Sequence, residues 1–492
     1  MRTLMHALLA AALLMPDVAQ AQPRKTNLAD QVKELSSKVG EALKGLAEGS
    51  AAARAVQDLA LKVTALQQEV QQQKQAGQGY EAVRARVEKY EDRIGTLELD
   101  LAALKMQANE KAGTAGFNDG FFLQSADGKF LVRFGGLAQM AYRGTIFSDE
   151  KLDSGETVGS NESSFLLRRA RLATSGHLLS WRLAYRLELD FGAEDPGPLL
   201  DAWGELHLHR LLRIRAGRQK IPFGRQFIIH AAYLQLIDRS GATEAFAPGW
   251  DLGAMVLGNI PFAGVISYQL GIFNGAGSSA AQDDNTDFLY VARLVYQPLG
   301  PVGYSEGDID VSKLQVSVGG TFTYNLARTD IALRSGVTDA ATAARMSDAD
   351  ADGKIDNVSV YQVGAELVAR LGGLAWQSEL FYRLEDPGAV DAERTFYGLY
   401  TQASFYHFGS SLELAARYGF WEPNYYGQDR SVARADRIHE LAVGLNGLVW
   451  DRRIKWQVEY SHRWLYDLKQ GETQLDGELK VNQVSVQGQI AF

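Results

Sequence analysis

From about residue 130 to Phe492 the chain alternates apolar and polar residues in run after run, and this restricts it to β-strands with one greasy and one wet face. In Trp181 to Asp190, Trp181, Leu183, Tyr185, Leu187 and Leu189 fall on one side of a period-2 element, and Arg182, Arg186, Glu188 and Asp190 on the other. Leu314, Val316, Val318, Phe322 and Tyr324 oppose Gln315, Ser317, Thr321, Thr323 and Asn325 in the same way, and Val484, Val486, Ile490 and Phe492 oppose Gln483, Ser485, Gln487 and Gln489. A sandwich uses such a strand once or twice, whereas here it recurs to the last residue.

Periodicity alone does not say which face meets water, since a soluble barrel turns its apolar side inward. Met1 to Ala21 carries Arg2, an apolar run from Ala7 to Met15 and the ending Ala19-Gln20-Ala21, the pattern of a secretory signal peptide cleaved after Ala21. After it no apolar run approaches the roughly 18 residues a spanning helix needs. A membrane-embedded mature chain must therefore be a closed β-barrel, the other structure that satisfies its backbone in lipid. The spacing predicts about sixteen strands, near 130–145, 163–175, 181–191, 200–208, 211–218, 251–258, 265–273, 287–297, 313–325, 357–370, 374–385, 395–407, 411–422, 436–448, 453–466 and 480–492. Short turns alternate with longer loops, as outer-membrane barrels require, and the polar inner layer and aromatics near strand ends put lipid outside. Pro298 to Ser312 breaks the rule, being too long for a turn on the short side, and reads as a place where a strand is miscounted.

Residues 22–112 have another grammar. Leu28, Val32, Leu35, Val39, Ala42 and Leu46, and after Gly77-Gln78-Gly79 the set Tyr80, Val83, Val87, Tyr90, Ile94, Leu97, Leu101 and Leu104, follow 4,3 spacing. This predicts an α-helical coiled coil in two parts, preceding the barrel; a lone amphipathic helix packed on the barrel is the alternative. Continuous helix from Leu28 to Met106 would reach on the order of 120 Å at about 1.5 Å per residue. Residues 113–129 read as a linker and 130–492 as the transmembrane barrel. A net charge of -9 argues against a nucleic-acid partner, and the absence of cysteine excludes disulfides, thiol catalysis and Cys-ligated metal. There is no G-x-S-x-G motif, so we read a channel and not an enzyme, with no required cofactor.

The strand pair SFLLRRARLATSG and WRLAYRLELDFG, followed by LLDAWGELHLHRLLRIRAGRQKIPFGRQF, resembles the phosphate-selective porin O and P family. Arg-Arg-Ala-Arg and Gly-Arg-Gln-Lys-Ile-Pro-Phe-Gly are its most specific pieces, and terminal Phe492 matches the outer-membrane insertion signal of such barrels. The resemblance covers about residue 117 to the end and implies a homotrimeric sixteen-stranded channel in the outer membrane of a Gram-negative bacterium, surrounded by lipid. The N-terminal segment resembles periplasmic extensions of some porins, which adds peptidoglycan as a partner in a tethering role.

If parity holds, the first eight strands turn Arg133, Arg143, Arg169, Arg171, Arg182, Arg186, Arg213, Arg215 and Arg293 inward against Glu188, Asp190, Asp201 and Glu205, nine basic residues against four acidic. The last eight turn in Arg370, Arg383, Arg417, Lys455 and Arg463 against Glu366, Glu379, Glu385, Glu413, Glu440 and Glu459. Guanidinium groups in a narrow wet lumen can replace part of an anion's hydration. The expected function is an anion-preferring diffusion channel for small anions such as phosphate or polyphosphate. A nonselective porin, its arginines tied up in cross-strand pairs, is the alternative. Arg168 has the opposite parity to Arg169 and Arg171 and reads as an interfacial or loop-contacting residue. Arg218 to Trp250 resembles the constriction loop of porins, with Arg218, Lys220, Arg225 and Arg239 against Asp238 and Glu244; an exterior lid is the alternative. Asp348, Asp350, Asp352 and Asp356 occupy positions one, three, five and nine of an EF-hand-like calcium loop, with Gly353 at six but Ser359 in place of the twelfth-position Glu. Ca²⁺ or a merely solvated acidic loop both fit. His207 and His209 share a strand face but have no third ligand, and read as ordinary turn-proximal histidines.

Overall fold

The computed structural model describes residues 115–117, 120–147, 161–192, 198–209, 211–275, 287–328, 357–386, 394–422, 434–470, 473–474 and 478–492. The signal peptide, the coiled coil and the four aspartates of the calcium-like loop lie outside the described residues. Nineteen strands form one antiparallel sheet among the described residues, and three of them, Ala115–Phe117, Phe121–Gln124 and Thr473–Gln474, are short. The other sixteen are β1 (Leu131–Phe147), β2 (Glu162–Leu178), β3 (Ser180–Asp190), β4 (Leu199–His209), β5 (Leu212–Lys220), β6 (Trp250–Pro261), β7 (Val265–Phe273) and β8 (Leu289–Gln297). They continue as β9 (Gln315–Arg328), β10 (Asn357–Leu371), β11 (Leu374–Asp386), β12 (Arg394–His407), β13 (Leu412–Trp421), β14 (Arg434–Trp450), β15 (Ile454–Gln470) and β16 (Leu479–Ala491). Each pairs with its sequence neighbour, and β16 closes on β1 from Ala491 opposite Leu137 to Val481 opposite Phe147. Closure leaves no unpaired edge in lipid.

The two faces divide as the alternation requires. Met140, Phe165, Leu172, Leu270, Leu294, Leu380, Leu414 and Ile490 are exposed on the outer wall, while Gln139, Arg171, Arg293, Glu366, Gln377, Gln402, Arg417 and Gln457 are buried inside. Exposed apolar residues are stable on a barrel only when their solvent is hydrocarbon. Two local departures matter. Between Gln139 and Met140 the β1–β2 register slips, so Arg168 becomes an extra residue and turns inward beside Arg169. At Gly217, with φ 126°, a Cβ would stand 2.2 Å from the Ala202 carbonyl oxygen. Gly217→Val should therefore cost about 1–3 kcal/mol of backbone strain plus the clash, read as a lower temperature for loss of the folded barrel band on a gel; an unchanged transition would contradict the assignment.

The expected linker is ordered at its C-terminal end. Phe121–Gln124 pairs with the first residues of β1, through a turn in which Asp127 accepts from Ser125 Oγ (2.6 Å) and Lys129 N (3.1 Å). The Ser125 hydroxyl and the Lys129 amide and ammonium pull the Asp127 carboxyl down to about 2. Phe121–Gln124 thus takes the edge of β1 where β16 runs out, and Ala115–Phe117 pairs with it in turn. Phe492 sits at the junction: its N–H donates to the Gly136 carbonyl (3.0 Å) and its own carbonyl accepts from Gly136 N (2.9 Å). A Cβ on Gly136 would meet the Phe492 ring at 2.6 Å, so the glycine makes room for the terminal aromatic.

Pro298 to Ser312 hides no strand. The connection between β8 and β9 folds into the barrel instead, burying Val302, Glu306 and Asp308. Asp308 accepts from Ser312 N (3.0 Å) and Gly373 N (2.9 Å), which ties the fold to the β10–β11 turn. Its extra length is used inside the lumen.

Candidate functional site

Residues 221–249, between β5 and β6, also fold into the barrel, so the constriction-loop reading describes them and the exterior-lid alternative does not. Ile221, Phe223, Phe227, Ile229, Leu234, Leu236 and Ile237 are buried. Phe246, at the end of the short helix Gly241–Phe246, stacks on Phe381 at 5.5 Å, and Phe223 lies 5.9 Å from the same ring. Ser240 caps that helix by accepting from Ala242 N (3.1 Å), and Gln226 Oε1 accepts from Ser240 N (2.9 Å) and Thr243 Oγ1 (2.7 Å). The loop is a folded unit, cross-braced before it touches the wall.

Its seat is acidic. Glu379 accepts from Gln226 N (2.7 Å), Glu459 from Ile237 N (2.6 Å) and Glu413 from Gln235 Nε2 (2.6 Å). From the other lumen fold, Glu306 accepts from Gln235 N (2.6 Å), Gln226 Nε2 (2.7 Å), Gln402 Nε2 (3.0 Å) and Gln377 Nε2 (3.3 Å). Basic groups hold the loop carbonyls: Lys455 Nζ donates to Leu234 O (2.6 Å) and Arg417 to Asp238 O (2.8 Å). The remaining inward acids of the second half are paired, Glu366 with Arg293 (2.5 Å), Glu440 with Arg417 (2.9 Å) and Arg463 (2.8 Å), and Glu385 with Arg383 (2.6 Å). The near-neutral wall is therefore a socket for the loop, a role that charge counting did not reveal.

The basic residues named from sequence take several different places. Arg169 and Arg171 turn inward but lie buried: Arg169 donates to Gln139 Oε1 (2.8 Å), and Arg171 pairs with Asp190 (2.6 Å) and Glu188 (3.6 Å). Arg168 joins them through the bulge, donating to Ile237 O (2.5 Å) and pairing with Asp238, which also meets Arg143 at 3.1 Å. Arg186 bridges Glu188 (2.5 Å) and Asp201 (3.3 Å) with its side chain still partly open. Glu205 collects Arg215 (2.5 Å), Arg213 (3.2 Å) and His207 (2.8 Å). Arg182 is exposed beside Trp181, 5.6 Å from its ring centre. Three residues correct the expectation of a pore-lining charge, and a fourth, Lys220, keeps that place but from a strand and not from the loop. Arg293 is buried in its two-point bond with Glu366. Arg225 is 0% exposed, donating to Gly303 O (2.5 Å) and lying 4.9 Å from the Tyr304 ring, so it joins the two lumen folds and lines no passage. Arg218 belongs to β5, at the parity opposite to Gln219, and donates to Leu199 O (2.9 Å). Lys220 ends the same strand and its Nζ donates to Phe227 O (2.5 Å).

Along the β1–β7 wall runs a cavity of about 500 Å³. Arg133, Arg171, Arg186, Arg215 and Lys220 line it from the strands, and Arg452 and Arg453 from the β14–β15 turn; Glu188 and Asp201 are its acids. Arg452 and Arg453 were missed because a turn has no parity to read. Where the loop closes this cavity, His230 Nδ1 accepts from Ala232 N (3.3 Å), leaving the proton on Nε2, which faces Glu188 at 3.5 Å. Burial pushes the His230 pKa below its ordinary value, against the pull of Glu188. Burial would raise Asp238, but Arg168, Arg143 and Arg169 hold it below the usual range. Both folded values are depressed, so the unfolded chain takes protons first and these contributions are lost as pH falls through the folded values. With ordinary values of 6.5 for His230 and 3.8 for Asp238, the His230 contribution is lost first and the Asp238 contribution only below about pH 4. Acidification from pH 7 toward about 3 should therefore loosen the loop and raise open-channel current noise, and a flat noise profile would contradict this.

The family model of phosphate-selective porin O and P matches residues 140–492. Among solved structures the chain is similar to the outer-membrane channel DcaP of Acinetobacter baumannii, at 13% identity and a TM-score of 0.49, over 75% of this chain and 99% of that one. OmpT of Vibrio cholerae, in its trimer form, is 12% identical with a TM-score of 0.46, over 73% and 99%. OmpF of Salmonella typhi, in complex with daunomycin, is 12% identical with a TM-score of 0.44, over 77% and 100%. No curated protein matches the sequence. A closed sixteen-stranded barrel with an apolar outer wall, a charged lumen and an infolded constriction loop is the architecture of an outer-membrane channel, and the chain belongs to the phosphate-selective porin O and P family.

Proposed function

We propose that the channel prefers anions, and that the cavity along the β1–β7 wall carries the preference. The supporting observation is its lining: seven basic side chains against two acidic ones, a surplus of five positive charges beside a folded loop. In a confined, weakly screened space that surplus raises the local concentration of anions and lowers that of cations. Glu188 and Asp201 within the same lining keep binding weak enough for release, as conduction requires. Inorganic phosphate and polyphosphate are anions such a lining would pass. Single-channel recording in a salt gradient tests the reading: the reversal potential should lie on the anion side, and a value at zero would favour the nonselective alternative, which the many Arg–carboxylate pairs support. Phosphate should interrupt chloride current at millimolar concentration if it is a dedicated solute.

A homotrimer is the assembly we propose, on the family resemblance and the heptads of residues 22–112; mass measurement in mild detergent checks it, and a stable monomer would contradict it. The tether reading has its own support in the short strands Ala115–Phe117 and Phe121–Gln124, which lie at the rim of the short turns, beside Trp450 and Phe492. Removing residues 22–112 should leave conductance intact and weaken attachment to peptidoglycan. For Asp348, Asp350, Asp352 and Asp356 we propose weak Ca²⁺ binding. Asp350→Ala with Asp352→Ala should abolish calcium-dependent stabilisation, and an identical wild-type melting curve with calcium or chelator would remove the site.

A further inference from the structure

We infer that the cavity along the β1–β7 wall is a transit site for small aromatic carboxylates, an inference that rests on the anion reading above and narrows it. A site built for inorganic phosphate gathers donors around a small tetrahedron and has little use for apolar surface. This lining instead interleaves cations with aromatic rings. Trp203 projects into the lumen and carries the Arg215 guanidinium over its ring at 4.0 Å; Trp250 stands 5.0 Å from Lys220 Nζ and packs edge-on to Phe227 at 5.3 Å. Tyr233 and Phe492 add further aromatic surface to the same space. At about 500 Å³ the cavity is of the size that holds ring-bearing organic molecules.

Two buried polar groups point to the same class. The Gln219 side chain is 1% exposed and lines the cavity, yet neither its Oε1 nor its Nε2 has a hydrogen-bond partner. Trp250 Nε1 likewise has none. Buried polar atoms are almost always satisfied, so an amide and an indole N–H left unmatched at a cavity wall call for a polar group from within it. A carboxylate between Lys220 and Arg215 would place its ring against the indole faces, and the Gln219 amide and the Trp250 N–H would reach its remaining oxygen or a ring hydroxyl. Stacking and ion pairing then act on opposite ends of one solute, a combination neither chloride nor phosphate can use.

The test uses the full-length channel in planar bilayers, with the salt-gradient reversal potential read first and current block by sodium benzoate, acetate and phosphate read next. Benzoate should interrupt the current at concentrations about tenfold below acetate or phosphate, since a stacked ring adds about 0.5–1.5 kcal/mol beyond its buried area. Trp203→Leu, and separately Gln219→Leu, should each erase most of that advantage while the reversal potential stays within the wild-type range. An anion-side reversal with equal block by benzoate and acetate would overturn the aromatic site and leave the anion reading standing. A cation-side reversal would overturn both. An undiminished benzoate advantage in both variants would place the site elsewhere and reject this one.

Discussion

Glu306→Ala should release the constriction loop, raising single-channel conductance and filling the open state with flicker. Glu306 stands on the infolded connection between β8 and β9, is buried, and accepts four hydrogen bonds: two from the loop's Gln226 side chain and Gln235 backbone, two from Gln377 and Gln402 on the wall. It is the point at which two lumen folds and the barrel meet. Alanine removes the acceptor and leaves a buried backbone N–H and three amides short of a partner, each costing about 1–3 kcal/mol where water cannot reach. Water will enter this site, so a net loss on the order of 3 kcal/mol is the reasonable expectation. The barrel itself should survive, because its sixteen strands close without this residue. Glu306→Gln keeps the shape and one acceptor oxygen but turns an N–H₂ toward other donors, so it should show a smaller effect of the same sign. Conductance and noise at wild-type levels in Glu306→Ala, with the barrel folded, would show that the loop needs no such clasp.

The barrel was legible in the sequence because the signal is local and repeated. Each strand carries its own two faces, and the hydrocarbon outside enforces them at every second residue, so the predicted spans fall close to the observed strands along the whole barrel. The socket was not legible, because nothing local tells an inward glutamate that pairs with an arginine from one that accepts a loop N–H. Glu366 and Glu379 share a strand pair and the same parity, yet one binds Arg293 and the other Gln226 N. Arg225 shows the same limit: its position in a basic loop suggested a pore-facing charge, but its partner is the Gly303 carbonyl, 78 residues away. At Arg168 the ladder slips and turns the side chain inward, yet its reading as a loop-contacting residue held, since it reaches Ile237 and Asp238 of the constriction loop. The length of Pro298 to Ser312 was noticed, and its meaning depended on the buried Glu306 and Asp308, which could only be understood once the loop opposite them was in place.

Reversing two charges of the β1–β7 wall, Arg186→Glu with Arg215→Glu, should abolish most of the anion preference. The burial pattern dictates this choice. Arg169 is buried and absent from the cavity lining, and Arg171 lines the cavity with a side chain only 4% exposed, so replacing them would cost stability through the Asp190, Glu188 and Gln139 contacts as well as changing the lumen field. Arg186 and Arg215 line the cavity with side chains 28% and 22% exposed, where a passing ion feels them. Two reversals change the lining by four charges, and a surplus of five falls to one. At an effective dielectric near that of water a unit charge about 4 Å away contributes about 1 kcal/mol, and the opposing effects on anion and cation add. A fall of at least about tenfold in the anion-to-cation permeability ratio follows, since about 1.4 kcal/mol is a factor of ten. The shift should be largest in dilute salt and shrink at 1 M, where the screening length is about 3 Å. The reversals also remove one ion-pair partner from each of Glu188, Asp201 and Glu205, so folded yield must be confirmed before recording. Arg186→Gln with Arg215→Gln supplies the milder version, half the charge change and a smaller shift in the same direction. A reversal potential unmoved by either pair, in channels that open and insert normally, would place the ion-selecting charges away from this wall.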